Sequence, residues 1–199
     1  MTIKDLYETI LEQNSESIDD LIIKTFETNQ EFILNTDIND NKENYYYTTL
    51  LISLYANVLA RKEIYSKALP FLNKAIPLWE NNSVFEDVNL KNNWYECLRN
   101  DRGMASYNRR RFFKSMKDFL WLKNHFPEKD KYKIWLIAIV EKLLIYLGKV
   151  VVIIIAILYF KHGRNDYLSL DILLIAIVMV LWVLSVIRKK KKKRLTNSA

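Results

Sequence analysis

The chain has 199 residues and a formal charge of +7; half of its residues are hydrophobic, and it holds three glycines, three prolines and one cysteine. So few breakers favour helices and argue against a glycine-rich phosphate cradle, and a lone thiol, Cys97, rules out an intrachain disulfide. The charge excludes less than it suggests, because the run Arg188-Lys189-Lys190-Lys191-Lys192-Lys193-Arg194 supplies all of the excess and leaves the rest of the chain neutral, so no nucleic-acid partner is implied.

In chain order, Thr2 to about Gln13 reads as a first helix, with Thr2 and Asp5 at capping-box spacing and an apolar stripe at Leu6, Ile10 and Leu11. No basic region followed by an apolar core opens the chain, so no cleavable signal peptide is expected. Ser15 or Ser17 can cap a second helix running through Ile18, Leu21, Ile22 and Phe26 to Phe32 and Ile33, which completes a helical hairpin. Asn35 to Asn44 is dense in Asn and Asp and reads as the longest soluble linker.

A third helix is expected from Tyr45 to Arg61 and a fourth from Ser66 to about Trp79, with Pro70 tolerated in the first turn if Ser66 is the cap. After the turn Asn81-Asn82-Ser83, a fifth helix spans roughly Phe85 to Asn108. Arg109-Arg110-Arg111 marks the next bend, and a sixth helix runs from Phe112 to His125, stopping before Pro127. The arginine run beside Tyr107, Phe112 and Phe113 reads as a solvated turn or a lipid-headgroup contact.

The third and fourth helices and the fifth and sixth repeat one pattern at a period near 47 residues. Ala68, Leu72 and Ala75 recur as Ser115, Phe119 and Leu122. A small residue, Ala56 or Gly103, stands 12 positions before each set. Small residues at these points let helices approach closely. These positions resemble the tetratricopeptide repeat, over about 80 residues from Tyr45 to Pro127. The first copy lacks the closing Pro, and the second carries Ser115 and Leu122 where the family prefers Ala.

The resemblance implies a groove lined by the first helix of each pair and binding another protein or a peptide. Carried onto this chain, the groove positions are Leu50, Ser53, Asn57 and Arg61, then Cys97, Asn100, Met104 and Tyr107. Asn57 and Asn100 would hold a partner's backbone amide and Arg61 a carboxylate. The Lys, Arg and Asn set with which some members grip a C-terminal carboxylate is incomplete here.

Two apolar runs, Leu143 to Phe160 and Leu168 to Ile187, are each long enough to cross a bilayer, and a turn of 161–167 joins them. The tail Arg188 to Arg194 directly after the second run is a positive-inside signal, so both termini are expected in the cytoplasm, with the tail also attracting anionic headgroups. The expected organisation is all-α: a helical-repeat domain over 1–130, a juxtamembrane helix over 131–142, the two-helix hairpin, and a basic tail over 188–199. Asp130 is expected to start a long helix whose first part, with Trp135 and Ile139, packs on the last repeat or lies at the headgroups. Lys149 and Asp171, the intramembrane polar residues, are expected to snorkel, or else to line an oligomer contact or pore.

No sequence feature calls for a cofactor or a reaction. His125 and His162 have no His or Cys at metal-ligand spacing, and Cys97 has no nearby histidine to activate it. The expected function is therefore an adaptor that recruits a protein to the inner face of a bacterial membrane. The competing reading is an effector whose hairpins self-associate and perturb the bilayer.

Overall fold

A computed structural model describes residues 2–12, 18–80, 84–85 and 87–162, with side chains as far as Ile157. Every regular element among them is a helix: α1 (Ile3–Glu12), α2 (Ile18–Thr28), α3 (Gln30–Asn35), α4 (Lys42–Arg61), α5 (Tyr65–Trp79), α6 (Val88–Asn108), α7 (Phe112–His125) and α8 (Lys131–His162). The expected second apolar span, Asp171 within it and the tail Arg188 to Arg194 lie outside the described residues. The chain divides into two units at Ile139 and Val140.

In the first unit the helix boundaries follow local chemistry. Thr2 and Asp5 form the expected reciprocal cap: the Thr2 amide donates to Asp5 Oδ2 at 2.6 Å and the Asp5 amide donates to Thr2 Oγ1 at 3.1 Å. The second predicted helix is two, because it breaks at Asn29, whose side-chain amide donates to the Thr25 carbonyl and competes with the helical ladder. The predicted linker is shorter than expected. Asn35 ends α3, and Asn41 caps α4 by accepting from the Asn44 amide at 2.7 Å. Asp87 caps α6 in the same way, so that helix starts at Val88 rather than at Phe85. α5 begins at Tyr65 and carries both Pro70 and Pro77 inside it, so Pro70 is not in the first turn.

The helices pair as hairpins stacked in an array, with α5 packed against both α4 and α6, and α6 against α7. All eight repeat positions are buried: Ala56, Ala68, Leu72 and Ala75 in the first pair, and Gly103, Ser115, Phe119 and Leu122 in the second. The N-terminal hairpin belongs to the same array, since α1 and α2 both pack on α4. There Phe26 stacks on Tyr55 with centroids 4.0 Å apart and meets Phe71 edge-on.

The first nine residues of α8, Lys131 to Ile139, close the array at its other end. Tyr132 and Ile139 are buried, and Trp135 stacks on Phe119 at 5.2 Å. Of the two placements expected for Trp135 and Ile139, on the last repeat or at the headgroups, this is the first. In the second unit α8 runs on through His162, past the point where a turn was expected at Lys161. No helix among the described residues is long and apolar enough to cross a membrane. Within the described side chains, the apolar stretch Leu143 to Ile157 has Lys149 as its one charged residue and leaves Leu144, Leu147, Val150, Ile153, Ile154 and Ile157 exposed.

Candidate functional site

The predicted groove positions lie along α4 and α6, and the fold gives them unequal roles. Leu50 and Ser53 are buried rather than groove-lining: the Ser53 hydroxyl donates to the Thr49 carbonyl and accepts from Trp79 Nε1 at 2.8 Å, which holds the indole in the core. Tyr107 is half-buried and packed edge-on against Trp135 and Phe112. Arg61 is exposed and bonded to Asp19 Oδ1 at 2.6 Å, so α2 already supplies the carboxylate expected from a partner.

Asn57, Cys97 and Asp101 meet where α4 crosses α6. Asn57 Nδ2 donates to Asp101 Oδ2 at 2.7 Å and lies 3.1 Å from Cys97 Sγ. Asp101 is buried, and that burial lifts its carboxyl above the ordinary range against the hydrogen bonds from Asn57 and Asn100. Burial, with Asp101 alongside, pushes the Cys97 thiol up to about 12. A thiol held neutral is a poor nucleophile, and the seam acts as a polar lock between two helices. Asn100 and Met104 on α6 are half-buried, as are Cys97 and Tyr107, and Asn100 also bonds to Asp101.

Two further ionic clusters tie the array together. Asp118 on α7 is 2 % exposed and bonded to Arg99 at 3.2 Å and to Arg102 at 2.6 Å, both on α6. The Arg99 guanidinium also lies over the rings of Tyr95 and Trp121, at 4.7 and 4.4 Å from their centroids. Glu96 accepts from Lys129 Nζ at 2.6 Å and from the buried Tyr132 hydroxyl, which fixes the start of α8 to α6. Burial acts to raise the Glu96 pKa, but the hydrogen bonds from Lys129 and Tyr132 outweigh it and hold the carboxyl below its ordinary value.

A cavity of about 300 Å³ opens beside these clusters, lined by Glu80, Lys91, Asn92, Tyr95, Trp121 and His125. Its size is at the lower limit for a small-molecule site. His125 Nδ1 donates to the Trp121 carbonyl, and the His125 ring stacks on the Trp121 indole at 3.7 Å. Arg99 covers the Trp121 and Tyr95 rings as well, so the protein's own cation occupies aromatic surface that a ligand cation would need. Among the described residues, no three His, Cys, Asp or Glu side chains converge to hold a metal ion.

Sequence reading missed Asp101, Asp118, Glu96 and Tyr132. A signal was present for Asp118, which lies on the same helical stripe as Ser115 and Leu122 and therefore points a carboxylate into the core, where it must find cations.

The fold and these seams define an all-helical array of stacked hairpins compatible with a helical-repeat protein. No known family profile, curated protein or solved structure matches the chain.

Proposed function

We propose that this chain is a membrane-anchored interaction module: a tetratricopeptide-like array held at the inner face of a bacterial membrane by a hairpin of the apolar runs Leu143 to Phe160 and Leu168 to Ile187, recruiting another protein or peptide. The observation that carries the reading is α8 from Leu144 to Ile157, where six large aliphatic side chains are each about half exposed or more. Water is a poor solvent for such a surface, whereas lipid covers it at no cost in backbone hydrogen bonding because a helix satisfies its own amides. Lys149 lies 5.8 Å from the Tyr146 centroid, a pairing that suits a side chain reaching toward the interface. On the array, Met104 offers a soft apolar chain to a partner and Asn100, which also bonds to Asp101, keeps the remaining polar valence of its amide, while Asn57 and Arg61 are engaged within the protein.

The test is expression of the full chain with a photo-cross-linking residue at position 100 or 104, and at 124 as a control. The expected result is a protein that resists carbonate extraction from membranes and yields one discrete adduct from 100 and 104 but not from 124. Extraction into the soluble fraction would remove the anchor from the reading. Self-multimers alone, with collapse of the membrane potential on expression, would replace the adaptor by the effector.

A further inference from the structure

The bend between α6 and α7 carries more positive charge than a turn requires. From Arg109 to Lys117, five of nine residues are cationic (Arg109, Arg110, Arg111, Lys114 and Lys117) and none is acidic. All five are exposed. The nearest acidic residue in sequence, Asp118, is buried and bonded to Arg99 and Arg102 on α6, so it does not neutralise the outer face. In the midst of these cations Phe113 is 75 % exposed, and Leu120, seven residues on and so on the same face of α7, is 43 % exposed. Beside the bend, Arg109 and Arg111 line a polar cavity of about 130 Å³ with Ser66 and Asn73 of α5, a space suited to a phosphate group.

We infer that this face docks on anionic phospholipid. Arg109 and Arg111 take a headgroup phosphate at the cavity, with hydrogen bonds from Ser66 and Asn73, Lys114 and Lys117 add attraction to the charged surface, and Phe113 and Leu120 enter the region of the acyl chains. The pairing of charge with protruding apolar groups selects this partner. A nucleic-acid duplex offers the same phosphates but has no hydrocarbon to receive Leu120, and an acidic protein surface offers no medium into which Phe113 can sink. Each cation near such a surface strengthens binding by about fivefold, so the face supplies a second contact besides the apolar stretch of α8. The inference rests in part on the membrane-anchored reading, and the experiment separates the two.

The full chain is placed in lipid nanodiscs of phosphatidylcholine alone or with about a third phosphatidylglycerol, and amide hydrogen exchange is followed across α7. The expected result is exchange at Phe112 to Lys117 several-fold slower in the anionic discs, with the difference lost in Arg109→Glu/Arg111→Glu and reduced in Phe113→Ser. Exchange at α4 serves as the check that these variants remain folded. Equal exchange in the two lipids overturns the inference. So does equal slowing by inorganic phosphate in neutral discs, which would make the cavity a site for free phosphate, or stronger slowing by a duplex oligonucleotide. If the chain fails to enter discs at all, the anchor reading falls, and anionic vesicles added to the same exchange reaction decide the docking face by itself.

Discussion

Gly103 faces Phe119 so closely that a methyl group at its Cα would stand 2.8 Å from Cε2 of the ring. The small residue common to both repeat pairs thus sets the spacing of α6 against α7. Phe119 cannot easily yield, because it is fully buried and stacked on Trp135. Gly103→Ala is expected to destabilise the array by about 1–3 kcal/mol despite the better helix propensity of Ala. Phe119→Leu should offset part of that loss when the two are combined, a coupling that a double-mutant cycle of thermal unfolding in detergent would read. Simple additivity would mean that the contact does not control the spacing.

Asp118 gathers two guanidinium groups, so its removal should be felt out of proportion to its size. Asp118→Ala leaves Arg102 partly buried without its carboxylate and Arg99 with only the longer contact to Glu80 at 3.7 Å, a change expected to cost about 3–5 kcal/mol. Adding Arg102→Leu removes one of the stranded charges and should return some of the stability. Denaturation midpoints of the single and double variants check this, and a double variant weaker than the sum of the singles would count against it.

What could be read from the sequence was what local chemistry and spacing decide. The Thr2 and Asp5 cap, the buried repeat stripe from Ala56 to Leu122 and the end of α7 before Pro127 all depend on residues close in sequence or related by one period. The break at Asn29 was missed because a side-chain bond to Thr25 competes with the helix there without any Gly or Pro to announce it. The predicted groove was only partly legible for a different reason. Ser53, Asn57 and Arg61 stand at groove positions by count, but their partners Trp79, Asp101 and Asp19 lie 26 to 44 residues away, and only the packed fold brings them together.

Cys97 should behave as a protected thiol. With its pKa pushed up to about 12 by burial and by Asp101, its thiolate population at neutral pH is smaller than that of an ordinary cysteine by roughly a thousandfold. Alkylation by iodoacetamide is expected to be at least about a hundredfold slower in the native chain than in the urea-unfolded chain. Asn57→Ala, which opens the seam, should accelerate it. Equal native and unfolded rates would show that the α4–α6 seam does not close over the sulfur.

Glu96 and Asp101 should give opposite pH signatures, although both are carboxylates on α6. Glu96 sits below its ordinary value of 4.5, so the folded chain binds its proton less readily than the unfolded chain. Its contribution is present above about 4.5 and is lost as pH falls further. Asp101 is raised from 3.8, so its contribution is present in acid and is lost as pH rises through its elevated folded value. At neutral pH the buried charge is a cost. Asp101→Asn, which keeps the shape of the side chain and removes the charge, is therefore expected to leave neutral-pH stability unchanged or higher. Glu96→Gln should lower neutral-pH stability and flatten its fall in acid, because Lys129 and Tyr132 lose the carboxylate they converge on. Unfolding midpoints of the two variants measured from acidic to neutral pH would separate the cases, and a marked loss of neutral-pH stability in Asp101→Asn would show that the ionised carboxylate, rather than the hydrogen bond from Asn57, holds the α4–α6 seam.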